Sequence, residues 1–75
     1  MLLLNGIIGR KYAVEEINQD EMIKRRLQAL GMTKGTVITI LNNKKSGSVI
    51  FKVRGSRLAV GKSIASGITI REAVK

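Results

Sequence analysis

The sequence predicts a mainly β protein, a small antiparallel barrel of about five short strands with one α-helix inserted between the first and second main strands. Three observations carry that expectation. Short runs rich in Val, Ile and Thr recur between glycine and polar turns. One stretch, Ile17 to Gly35, holds the only complete helix signal. The chain has 75 residues, room for a single domain over 1–75 with one core, and short strands in so small a chain manage their edges by curling into a barrel. By pattern alone an SH3-like and an OB-like barrel satisfy these constraints equally.

Met1 to Gly9 combines a leucine run with Asn5-Gly6 and Gly9, and is expected to form an arm or edge strand ending in a turn. Lys11 to Ile17 is a strand whose apolar alternation slips at Glu15-Glu16, the mark of a bulge or of a strand end. The helix is expected from about Gln19 to Leu30. Asn18 is read as its cap, with Glu21 reaching back and Ile17 stapled to Met22. Ile23, Leu27 and Leu30 then form one apolar stripe that must be buried. Gly31 stands where a left-handed ending is needed, with Met32 folding back on Leu27. Thr33-Lys34-Gly35 is a tight turn into the β-rich segment.

Thr36 to Asn42 reads as a strand apolar on both faces, followed by a polar loop from Asn43 to Gly47. Ser48 to Val53 alternates cleanly, with Val49, Phe51 and Val53 sharing a face, and completes a hairpin. Arg54 to Arg57 turns the chain into a short strand from Leu58 to Val60. Gly61 to Gly67 is expected to hold one 3₁₀ turn, and Ile68 to Ile70 to form the last strand.

The net charge of +9, from 14 basic against 5 acidic residues, is unevenly laid out. Glu15, Glu16, Asp20 and Glu21 come early, Glu72 comes late, and no acid lies between Met22 and Arg71. A field of that kind favours encounter with acidic partners: nucleic acid, an anionic lipid surface or an acidic protein face. The apolar runs fall far short of the roughly 20 residues of a membrane span, and no basic leader precedes a cleavage site. We therefore expect a cytoplasmic protein with no direct membrane insertion.

Catalysis has little to draw on. Histidine and cysteine are absent, so acid–base work would fall to five carboxylates, the lysines and Tyr12. The early carboxylates have a plain role at the helix dipole and the strand end. The glycines are scattered singly at turns and build no phosphate-cradling loop. Met22 and Met32 read as core contacts rather than soft metal ligands. We expect no enzyme, no catalytic residue, no cofactor and no metal site. Nucleic-acid binding has its phosphate contacts, yet only Tyr12 and Phe51 could stack on bases, and Phe51 reads as core. A protein partner has a better match in arginine, whose planar fork pairs with carboxylates. The candidate partner-binding residues are Arg25, Arg26, Gly31 and Met32 at the helix, with Arg54, Gly55 and Arg57 at the glycine turn.

These two groups of residues also carry a family resemblance. Arg26, Leu27, Leu30, Gly31 and Gly35 match the pattern R-L-x-x-L-G-x-x-x-G. The run from Val53 to Ala59, VRGSRLA, is similar to V-R-G-x-R-L-A. In both the chain resembles the FeoA-type ferrous iron transport accessory proteins. Lys34, where proline is frequent, and Gly61, where a basic residue is common, depart from the family's pattern. The resemblance implies an SH3-like barrel with an extra helix. It also implies an adaptor, expected to be monomeric, that binds the cytoplasmic GTP-binding part of the membrane iron permease and modulates transport. Similar domains end metal-dependent repressors and bind within their own chain. The alternative kept beside it is a small basic nucleic-acid-binding barrel, with direct metal sensing a distant third.

Overall fold

The structure, a computed structural model, describes residues 1–44 and 47–73. Five antiparallel strands form one bent sheet: β1 Lys11–Ile17, β2 Val37–Asn43, β3 Val49–Val53, β4 Ser56–Val60 and β5 Ile68–Glu72, in the spatial order β4-β3-β2-β1-β5. Helix α1, Glu21–Ala29, lies between β1 and β2 in sequence, and a single helical turn, α2 Lys62–Ala65, between β4 and β5. This is the SH3-like barrel, and it puts one set of alternating side chains inward. Tyr12, Val14, Ile38, Ile40, Phe51, Val53, Ile68 and Ile70 are all sealed from solvent.

The slip at Glu15-Glu16 is a bulge: the β1–β5 register shifts between Val14 and Glu16. A second shift, between Ile40 and Asn42, bends β2 against β3. Strand β2 is not buried on both faces as its composition suggested; Val37 and Leu41 face solvent while Ile38 and Ile40 point in. Composition gave no hint of which face, because a β-branched run suits a pleated strand whether or not both faces are covered. Strand β4 begins at Ser56, two residues earlier than expected, because a two-residue turn at Arg54-Gly55 already joins it to β3. Where a 3₁₀ turn was expected, Lys62–Ala65 is α-helical. Of the polar loop after β2, Lys45 and Ser46 lie outside the described residues.

The N-terminal arm is a 3₁₀ turn, Leu3–Asn5, rather than a strand. It bridges β5 at Leu2 and Thr69, and it inserts Leu3 into the core. The Asn43 side chain fastens the arm by donating to the carbonyls of Leu4 (2.9 Å) and Gly6 (2.8 Å).

Helix α1 lies beside β4 and β5, the two ends of the ladder, which do not pair with each other. One flank of α1 shares a groove with β4 and α2, and the other shares a cleft with β1 and Arg71 of β5. Its start differs from expectation. The cap is Asp20, whose Oδ1 accepts from the Ile23 N–H at 2.9 Å, while Asn18 instead gives its backbone N–H to the Gly67 carbonyl. Met22 lies about 140° around the helix from Leu27 and is 72% exposed, so it is neither staple nor core. The stripe is narrower than predicted: Leu27 is buried, Ile23 is half-buried and Leu30 stays 47% exposed. No helix among the described residues is long and apolar enough to cross a membrane.

Candidate functional site

The end of α1 and the β3–β4 turn meet. Helix α1 stops in a Schellman motif: the Met32 N–H donates to the Leu27 carbonyl and the Gly31 N–H to that of Gln28, both at 3.0 Å, with Gly31 at φ +104°. A side chain at Gly31 would also displace the Arg54 stem. Its Cβ would lie 2.7 Å from Cδ of Arg54, whose aliphatic stem crosses the bare glycine. At the other side of this contact, Arg54 at φ +50° and Gly55 at φ +81° form the paired left-handed turn that matches the twist of a two-residue hairpin. Thus the two sequence motifs are halves of one contact.

The remaining candidates divide. Arg26 stands on the flank of α1 that faces β4, lining the same groove as Ile23, Leu30, Leu58 and Val60. Arg57 projects from the outer face of β4, directly across from Lys52 of β3. Arg25 lies on the far side of the helix from Leu27, exposed and 3.9 Å from Glu21 one turn back. Arg25 and Arg26 therefore do not share a surface, since successive helical positions diverge by about 100°. Met32 is fully buried, so it cannot touch a partner; it anchors the turn that positions Gly31.

Four of the five carboxylates have local partners. Glu15 faces Arg71 (3.9 Å), Glu21 faces Arg25 (3.9 Å), Glu72 faces Arg10 (3.5 Å) and Asp20 caps α1. A cleft of about 590 Å³ runs along the opposite flank of α1 between Glu15, Glu16, Lys24, Lys34 and Arg71; it mixes both charges and includes none of the predicted residues. Among the described residues no three His, Cys, Asp or Glu side chains cluster as a metal site would require.

Neither aromatic ring is available for base stacking. Phe51 is in the core as expected, and Tyr12 is buried too, its hydroxyl accepting from the Ile7 N–H at 3.0 Å. Sequence reading also passed over the groove beside α1, about 230 Å³, lined by Ile23, Leu27, Leu30, Leu58 and Ile64. Leu58 and Ile64 gave signals only of a short strand and a loop. What exposes them to a groove is the tertiary placement of α1, which local pattern does not carry.

Residues 1–72 match the model of the FeoA domain family. Solved structures agree. A FeoA protein from Chlorobium tepidum, studied in solution, is 24% identical, aligns with 99% of this chain and 71% of its own, and superposes with a TM-score of 0.90. A crystal structure described as an iron uptake regulatory protein (FeoA) is 29% identical over 97% of both chains, TM-score 0.88. A manganese-dependent transcriptional repressor shares the fold at 16% identity, over 99% of this chain and 41% of its own, TM-score 0.86. No curated protein sequence matches the chain.

Proposed function

The chain belongs to the FeoA domain family, and we propose that it serves ferrous iron uptake as a cytoplasmic adaptor, docking on the GTP-binding cytoplasmic part of the membrane iron permease and modulating transport. The observation that carries this reading is the Gly31–Arg54 contact. It joins the helix end to the hairpin tip, with Arg54 on the turn and Arg57 on the strand that follows. Guanidinium groups offer paired N–H donors to carboxylates. Arg26 adds a positive charge beside the groove between α1 and β4, and the sequence between Met22 and Arg71 carries no acid. Arg25 stands outside this platform. Binding rather than catalysis also fits the carboxylates, four of which are committed to caps and ion pairs.

The test is titration of the permease's cytoplasmic domain with the full chain near physiological salt. Replacing Arg54 and Arg57 together by alanine is expected to weaken binding at least about tenfold, with the wild-type affinity falling as salt screens the charges. Unchanged binding by the double variant removes those residues from the site, and no binding by the wild type removes the adaptor.

A second reading, the basic nucleic-acid-binding barrel, is favoured by one feature. Arg57, Lys52, Thr39 and Lys11 stand in register across the outer face of β4, β3, β2 and β1. Facing cations are unfavourable unless an anion sits between them. With both rings buried, such binding would rest on phosphate alone, and a salt series with single-stranded RNA and DNA would show it as a steep loss of affinity.

A further inference from the structure

The two ends of the sheet are treated differently. At β5 the N-terminal arm already acts as an added strand: the Met1 amine donates to the Ile70 carbonyl at 3.0 Å and the Ile70 N–H returns to the Met1 carbonyl at 2.7 Å. Among the described residues nothing covers β4 in this way. Because a two-residue turn joins β3 and β4, Val53 and Ser56 form the hydrogen-bonded pair beside it, and the pattern alternates from there. Ser56, Leu58 and Val60 turn their backbone groups toward β3. Arg57 and Ala59 turn theirs outward, to an open edge.

Alongside that edge runs the groove of about 230 Å³ between β4 and α1, floored by Leu27, Leu58 and Ile64 and with Leu30 and Arg26 on its helix side. A strand laid on β4 would send alternate side chains to opposite faces. Those beside Leu58 would enter the groove and must be apolar to gain from it. Those beside Arg57 would emerge on the outer face, where Arg57 and Lys52 stand opposed with no acid between them. A second copy of this chain suits the edge poorly, since pairing β4 with β4 would crowd Arg54, Arg57 and Lys52 of both chains onto one seam.

We propose that the free edge of β4 is a strand-addition site for an extended protein segment of alternating apolar and acidic residues, the apolar ones seated in the groove beside α1 and the acidic ones facing Arg57. This rests on the adaptor reading and names the form of the partner's contact. Main-chain bonds supply affinity and the alternating pockets supply selectivity.

Amide exchange measured by NMR on the full chain tests it, using three synthetic peptides of equal length. One alternates valine and glutamate, one alternates valine and glutamine, and the third is the first with its edge-facing amides N-methylated. The acidic peptide is expected to slow exchange of the Arg57 and Ala59 amides about tenfold or more at saturation. The glutamine peptide should bind about tenfold more weakly, and the N-methylated one should not bind. Ala59→Pro deletes an outward N–H and no bond to β3, so it is expected to abolish binding while the shifts of β1 and β2 stay in place. Should that variant fail to fold, the N-methylated peptide decides the question on the wild-type chain. Unchanged exchange at Arg57 and Ala59 on peptide addition overturns the proposal, as does protection of both amides in the free chain that grows with concentration, which would mean that a second copy holds the edge. The two readings separate cleanly. Equal binding of the permease domain by wild type and Ala59→Pro ends the strand-addition site and leaves the adaptor, whereas peptide capture without permease binding does the reverse.

Discussion

Replacing Leu27 by alanine removes the one side chain that α1 inserts fully into the core. Alanine is the best helix former, so any loss reports packing rather than helix propensity. Burying a leucine contributes about 1.5–3 kcal/mol, and truncation adds a cavity term that brings buried Leu→Ala changes to about 2–5 kcal/mol. Leu27 borders the groove toward β4, where Ile64 and the half-buried Leu58 have space to move in. Partial collapse places the cost at the lower end, about 2–3 kcal/mol. A domain of this length holds roughly 4–11 kcal/mol in all, so the change should lower Tm by roughly 10–20 °C. Urea denaturation followed by circular dichroism measures it, with Leu30→Ala as the control. Leu30 belongs to the same sequence stripe but is half exposed, and it should cost less than about 1 kcal/mol. A Leu27→Ala loss below about 1 kcal/mol, or equal losses at the two positions, would refute the account of how α1 is attached.

Asp20→Ala should destabilise by about 1 kcal/mol through loss of the cap on the Ile23 N–H, whereas Asn18→Ala, whose backbone makes the bond to Gly67, should change chemical denaturation by less than half of that. Tyr12→Phe leaves the Ile7 N–H without its acceptor and should cost about 1 kcal/mol in the same assay. Arg54→Asn relieves an arginine at φ +50°, since Asn tolerates the left-handed region; stability should rise by about 1 kcal/mol while affinity for the permease domain falls. A variant less stable than wild type would contradict the strain assigned to Arg54.

Much of this fold is written locally. The bulge at Glu15-Glu16, the inward trio Val49, Phe51 and Val53, and the glycine ending of α1 each depend on a few neighbouring residues, and each was legible. The misreadings come from competition between adjacent signals. Asn18 and Asp20 are both good caps, and the choice was made by Gln19 and Asn18 being tied to the end of α2, 44 or more residues away, through the Ile64, Ser63 and Gly67 carbonyls. Met22 lies about 140° around α1 from the buried Leu27, and Leu30 falls at the C-cap, so neither is carried into the core. In the candidate site both motifs were legible, but the contact between Gly31 and Arg54, the burial of Met32 and the outward turn of Arg25 follow from helix phase and tertiary placement.

The Arg54 turn links these levels. A two-residue hairpin turn whose residues both have positive φ is best served by Asn-Gly or Gly-Gly, and this chain supplies Arg-Gly. Backbone strain of that kind persists where the surrounding structure over-determines it. Here the determinants are a β3–β4 ladder running from Val53–Ser56 to Val49–Val60 on one side and, on the other, a helix end whose missing side chain leaves a track for the arginine stem. Neither glycine does this alone: Gly55 completes the turn that aims Arg54, and Gly31 provides the surface that receives it. The outcome is an exposed Arg54 side chain whose stem crosses the junction of the α1 end and the β3–β4 turn. Such bracing contributes nothing evident to the core, whose sealed side chains lie elsewhere. On the adaptor function proposed above, it would preorganise the turn for a carboxylate brought by another chain.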